Sequence, residues 1–327
     1  MNNSALGQQI EPTQSSWVST ATRDAIRHFA WGVGDNNPLW TDIGHANASR
    51  WVGLIAPPCF LYGVHETSVA PGHAGHRRVY RAVDWTFFDV VRVGDQIGAS
   101  AWLANERRAG DTLEQPGHVA FFAAGNRLVA TADTICQRPT GPAIAYEDMP
   151  EIHYTGDELN EIERTILGES RQGDVSLNWE ATKVGDTLGP LIKGPLSIMD
   201  VVAWCAATSG VTDESSGHSD GGLQAQSATG PEQVAWIAQL VTDWMGDDAF
   251  LHRLNLELEG CPSLGSTTTM KGQVVEVGLC NGQPCATISL LATDQSGRAT
   301  AKGTAIVLQP STEHGPVKLP LGVDARP

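Results

Sequence analysis

This sequence predicts an α+β chain made of two copies of one plan, each a helix wrapped by a meander of antiparallel strands. Three observations predict it. Two apolar helical patterns repeat one design, the polar segments after them share a frame, and the strand-like runs that follow recur at a constant offset.

The first copy opens on residues 22–34, where Ile26, Phe29, Ala30 and Val33 fall at helical spacing and glycines close the run. Residues 197–210 repeat the design, with Ser197 and Asp200 as a capping box and Gly210 at the end. Setting Asp24 on Asp200 also sets Gly34 on Gly210. Beyond each helix lies a segment of the form D-x-x-x-x-[H/W]-x-D: D-N-N-P-L-W-T-D from Asp35 to Asp42, and D-E-S-S-G-H-S-D from Asp213 to Asp220. Only the second holds a histidine, His218 against Trp40 in the first.

A second helix announced by proline follows in each copy, A-P-P-C-F-L-Y-G-V-H-E-T from Ala56 and G-P-E-Q-V-A-W-I-A-Q-L-V-T-D-W-M-G from Gly230. Proline suits a first helical turn, where its missing N–H would be unpaired anyway. In the later helix Val234, Ile237, Leu240, Val241 and Trp244 make a broad apolar stripe and Gly246 is the stop. Runs rich in β-branched and aromatic residues come next, at 77–89, 93–105, 118–124 and 127–136, then again at 250–258, 264–277, 284–292 and 298–308. Gly94 and Gly265, Arg127 and Arg298, and Pro139 and Pro310 are each 171 residues apart, which marks a duplication. Between the copies D-E-L-N-E-I-E-R-T-I-L-G predicts a helix on an acidic connection, closed by Gly168. The boundaries are then 1–140 for the N-terminal domain, 141–180 for the linker and 181–327 for the C-terminal domain. A helix wrapped by such a meander is the hot-dog arrangement, so the chain is a double hot-dog with two antiparallel sheets, each around a central helix.

With 41% hydrophobic and 18% charged residues in 327, composition is that of a globular chain long enough for two domains. A formal charge of -16 argues against nucleic acid, whose phosphates need a basic face. Locally, His76, Arg77, Arg78 and Arg81 form a cluster able to take a phosphate, or else a solvated surface. The six cysteines lack a C-x-x-C pair, as in a reducing compartment; only Cys280 and Cys285, flanking N-G-Q-P, are placed to meet across a turn. No basic start precedes an apolar core at the N-terminus, and no apolar run approaches the ~20 residues that cross a bilayer. A cytoplasmic protein without membrane contact is the expectation, and a homodimer is left open.

F-A-W-G-V-G-D-N-N-P-L-W-T-D followed by I-A-P-P-C-F resembles the hydratase motif and helix entrance of the MaoC-like dehydratases, the (R)-specific enoyl-CoA hydratases. K-G-P-L-S-I-M-D-V-V-A-W, T-D-W-M-G-D-D and K-G-T-A-I-V-L-Q-P look like the second domain of two-domain bacterial acyl dehydratases in that group. The resemblance covers nearly the whole chain. It implies that Asp213 and His218 hold a water between them with Asp220 in support, although E-S-S-G replaces the family's Asn-Pro after Asp213. It also implies that the first copy is kept for the acyl chain, with Asp35, Asn37, Trp40 and Pro57, joined by Arg77 and Arg78, on the substrate side. No cofactor or metal is implied, and the partner is an acyl-CoA or acyl-carrier-protein thioester.

Adding water across an α,β-unsaturated thioester needs a base near the water, a proton donor and stabilisation of an enolate-like oxygen. Unperturbed pKa values of ~3.9 and ~6.5 leave Asp213 ionised and His218 able to exchange a proton near neutrality. Free backbone N–H groups at the start of the later helix suit the oxygen, and Gly230 lets a carbonyl approach closely. Against this stands a plainer reading, a polar surface loop with an idle histidine. Asp35 is expected to fix a turn, Trp40 either packs in the core or lines an acyl tunnel, and Asp247 and Asp248 are expected at a solvated helix end. His28, His65 and His252 are read as structural. A non-catalytic acyl-binding partner and a thioesterase are the rival functions.

Overall fold

The computed structural model describes residues 9–10, 18–72, 78–139, 152–208 and 227–322. The first half contributes helices α1 (Arg23–Val33), α2 (Pro38–Thr41) and α3 (Ile43–Ala48) and strands β1 (Gln9–Ile10), β2 (Val79–Phe87), β3 (Gly98–Leu103), β4 (Arg107–Ala109), β5 (Thr112–Ala123) and β6 (Arg127–Pro139). After the connecting helix α4 (Gly156–Leu167) come β7 (Thr187–Lys193), α5 (Ile198–Thr208), α6 (Gly230–Met245), β8 (Phe250–Leu258), β9 (Thr268–Cys280), β10 (Gln283–Asp294) and β11 (Ala299–Leu308). Among the described residues no helix is long and apolar enough to cross a membrane.

Both copies lay their strands in the same order, so the two half-sheets join into one antiparallel sheet, β1-β3-β5-β6-β2-β8-β11-β10-β9-β7, with β4 beside β5. The seam is β2 on β8, where Trp85 faces Leu254 and Asp84 faces Asn255. Arg253 grips the Asp84 carboxylate with Nε and Nη2 at 2.8 and 2.5 Å across this seam. Pairing the two inner strands satisfies edges that a single copy would leave open.

The turn chemistry follows the sequence. Asn281 and Gly282 both take positive φ, 49° and 76°, as a two-residue hairpin between β9 and β10 requires. This hairpin brings no disulfide: Cys280 and Cys285 are free thiols. Gly94 and Gly265, the offset pair, take φ of 94° and 80° in equivalent turns.

α6 is the central helix of the second copy, buried along nearly its whole length. Its counterpart in the first copy differs from the expected helix. Only Pro58–Gly63 is helical there, and as a 3-10 helix. Gly63 packs so closely that a Cβ would lie 3.1 Å from Val18 Cγ2, and Thr67 then turns the chain through a φ of 63°. Residues 64–71 continue as irregular chain, held by Thr134 Oγ1 donating to the Thr67 carbonyl and Gln115 Nε2 to that of Pro71, both at 2.9 Å. Beneath lies an aromatic core in which Trp85 stacks between Phe87 and Phe121 at 5.3 and 5.4 Å. The helices α1 and α5 of the two copies cross closely at Gly32, where a Cβ would sit 3.0 Å from the Ala203 carbonyl oxygen.

Candidate functional site

The first-copy frame folds into two short helices stapled by its own side chains. Asp35, buried after the αL cap Gly34, accepts the Asn37 N–H on Oδ1 at 2.9 Å. Asn37 in turn accepts the Leu39 N–H at 3.0 Å and caps α2, and Asp42 accepts the N–H groups of Gly44 and His45 to cap α3. Asp42 is exposed, and those two N–H bonds hold its carboxyl below the usual range. Trp40 occupies the histidine's place with its ring buried. Its indole N–H approaches Asp35 without reaching strict hydrogen-bond geometry, so the donor is left over.

Burial raises the Asp35 carboxyl, opposed by the Asn37 N–H and then by Lys193. Lys193 Nζ donates to the Gly34 carbonyl at 3.0 Å, and burial pulls its ammonium down against Glu169 and Asp35. Asp243 on α6 joins this group; burial and then Asp35 push it up to about 7. Nearby, Asp247 is not at a solvated helix end. It is buried, takes the His45 Nε2 at 2.6 Å, pairs with Arg171, and offers its carbonyl to the Trp51 indole at 2.8 Å. Its position two residues past the predicted stop at Gly246 suggested solvent; tertiary packing against α3 and Trp51 overrides that signal.

Open space lies between the copies along one face of α6. A small pocket is lined by Asp35, Phe29, Val33 and Cys59 from the first copy and by Ala235, Ala238, Gln239 and Thr242 from α6. These α6 positions recur at helical spacing on one side. Gln239 leaves its buried Oε1 unpartnered there. Pro57 and Pro58 line both this pocket and a larger apolar cleft of about 520 Å³. Trp40, Trp51, Ile55, Val91, Met245 and Phe250 are among the walls of that cleft.

The N-terminus of α6 is the other end of this track. Thr229 caps it, and Gly230 packs against Tyr80 so closely that a Cβ would lie 2.7 Å from the tyrosine Cβ. Tyr80 in turn bonds Thr67 at 2.7 Å and Tyr62 at 3.2 Å. Glu232, in the helix's first turn, is fully buried. The sequence signal for it, T-x-x-E ahead of an apolar run, is plain; its burial is not.

Asp213, His218, Asp220 and Arg77 lie outside the described residues. Arg78 is turned to a protein partner, Glu66 at 2.8 Å, and Arg81 donates to the Leu258 carbonyl. His252 is buried with Nδ1 2.9 Å from the Phe87 carbonyl oxygen, and His65 accepts the Thr67 N–H while burial lowers its imidazole to about 4.

A family model described as the FAS1-like dehydratase domain region matches residues 5–119. A UPF0336 protein of Streptomyces avermitilis is 38% identical over 149 residues, which span 42% of this chain and 95% of that protein. One from Parafrankia is 30% identical over 128 residues, 37% of this chain and 85% of its own. Among solved structures, a MaoC-like dehydratase superposes with a TM-score of 0.69 at 16% identity, over 94% of this chain and 99% of that one. A conserved hypothetical protein of Mycobacterium tuberculosis with a double hotdog fold gives 0.61 at 11% identity, over 93% and 96%. The structural likenesses speak for fold, the closer sequence relatives for kinship. The chain belongs to the family of these UPF0336 relatives, carrying a FAS1-like dehydratase region in its first half and the MaoC-like double hot-dog fold over nearly its whole length.

Proposed function

We propose that the chain is a hydro-lyase that interconverts a trans-2-enoyl thioester, on coenzyme A, and a 3-hydroxyacyl thioester. The observation that carries this is the buried start of α6. Its capped, glycine-opened N-terminus directly follows the segment bearing Asp213 and His218, and open space leads from its flank to an apolar cleft. Unpaired N–H groups at the positive end of a four-turn helix suit a developing thioester oxygen, and one such donor is worth ~3 to 4 kcal/mol in other enzymes. Asp213 serves as base and His218 as proton donor, with Asp220 supporting; positioned groups of this kind contribute roughly 10²- to 10⁴-fold each.

The acyl chain then runs along Ala235, Ala238 and Thr242 toward the cleft, with Asp35, Asn37, Trp40 and Pro57 shaping its far wall. α6 has 16 residues, about 24 Å of path, so the cleft serves long chains. In this reading residues 1–140 bind and 181–327 react, with 141–180 as the connection. Asp213→Asn and His218→Gln are each expected to abolish loss of the enoyl absorbance in folded protein; full activity in both ends the assignment. The alternative, a non-catalytic acyl-binding subunit, is favoured by Trp40 standing where a histidine is required in the first copy. It predicts that the purified chain binds a 3-hydroxyacyl thioester yet turns over no enoyl thioester.

A further inference from the structure

Glu232 closes a capping box at the start of α6: its Oε2 accepts the Thr229 N–H at 3.2 Å and its own N–H donates to Thr229 Oγ1 at 3.1 Å. That box folds the side chain back over the first turn and holds Oε1 at the mouth of the helix. Oε1 is buried and has no hydrogen-bond partner. Capping does not demand this. The same box in α4, Thr155 with Glu158, stands entirely in solvent. Leaving a carboxyl oxygen buried and unmatched costs ~1 to 3 kcal/mol, and buried ionisable groups of this kind mark sites of chemistry.

The surroundings fit that use. α5 brings Asp200 and Cys205 to the carboxyl, and β2 brings Tyr80 against the adjoining Gly230. Thr208 at the end of α5 and Ser227 ahead of α6 are the two stems between which Asp213 and His218 lie in sequence.

We propose that Glu232 is a further catalytic residue of the second copy, donating a hydrogen bond from Oε1 to the thioester oxygen as charge develops on it; this rests on the hydratase reading above. Burial pushes its carboxyl up to about 8, with Asp200 adding to the rise against the Thr229 N–H, so the group is neutral at pH 7 and has a proton to share. In the addition Asp213 takes a proton from water, the water oxygen bonds to C3, and the π pair moves through C2 onto the thioester oxygen. His218 then gives a proton to C2 as the carbonyl re-forms, and the proton on Asp213 passes back to His218. Glu232 keeps its proton throughout. Ionised, it sets a negative charge against the enolate and stops the reaction.

The test is the pH dependence of kcat/KM for trans-dec-2-enoyl-CoA hydration by the full chain between about pH 6 and 10. The wild type is expected to lose activity through about pH 8. Glu232→Gln, whose amide keeps both the cap and an N–H donor, is expected to retain most of the activity and lose that alkaline limb. Glu232→Met, with no donor, is expected to lose roughly 10² to 10³ in kcat. An unchanged limb in the Gln variant overturns the proposal, as does wild-type kcat in the Met variant; thermal unfolding of each variant shows whether it folds, and the Gln variant decides where the Met variant does not. Should Asp213→Asn and His218→Gln both keep full activity, it is the second-copy reading that falls. Should they lose activity while Glu232→Gln keeps the limb, only the role of Glu232 falls.

Discussion

Glu232 is buried with one oxygen unmatched, and Asp243 is buried beside Asp35; each is comfortable only with a proton on it. Both folded values stand above the unfolded ones, about 8 against 4.5 and about 7 against 3.8. Their stabilising effect is therefore complete below the unfolded value and is lost as pH rises through the folded one. Glu232→Gln is expected to raise the thermal midpoint progressively between about pH 5 and 9, with little change at pH 4. Asp243→Asn is expected to do the same over a lower window, ending near pH 7, as thermal melts in matched buffers would show. A midpoint difference independent of pH would contradict either case. None of this was legible in the chain, because D-W-M-G-D-D and T-G-P-E look like surface helix ends. Burial of Asp243, Asp247 and Glu232 comes from partners distant in sequence, such as Arg171, His45 and Asp200.

At the scale of elements, α6 gathers the thioester end, the pocket and the cleft onto one rod. Ala238→Leu fills the pocket between them and is expected to lower kcat/KM for a long-chain enoyl-CoA at least tenfold while sparing crotonyl-CoA, whose chain ends before that turn. Equal losses on both substrates would show that the chain takes another path. Gly230→Ala forces a methyl to 2.7 Å from Tyr80 Cβ, so the helix start must shift, and a 1 Å displacement of positioned groups can cost about 10²-fold in rate. That loss, read in kcat with the fold intact by circular dichroism, is the expectation. The sequence showed α1, α5, α6 and α4 through their apolar spacing, caps and terminal glycines. It did not show that the first copy's central helix stops at Gly63. Proline and the apolar run C-F-L-Y announce a helix, whereas tight packing on Val18 and the turn at Thr67 end it.

For the molecule as a whole, the duplication was the most legible feature, since offsets of 171 residues survive where side chains have diverged. The order of strands and the shared sheet follow from two equal copies pairing by their inner edges. Trp85, packed at that seam against Phe87, Phe121 and Tyr62, is expected to cost about 3 to 5 kcal/mol when replaced by alanine, measured by denaturant unfolding. A loss below about 1 kcal/mol would mean the seam is held elsewhere. The seam also separates this chain from assemblies of single copies. Two free hot-dog chains that build a site between them come apart on dilution, and their activity per chain falls with concentration. Here one chain supplies both Asp84 and Arg253, both the cleft and the helix that borders it, so the second copy meets the first at a concentration set by the connecting segment alone. Scarcity in the cell, which would dismantle a dimer, leaves this site whole.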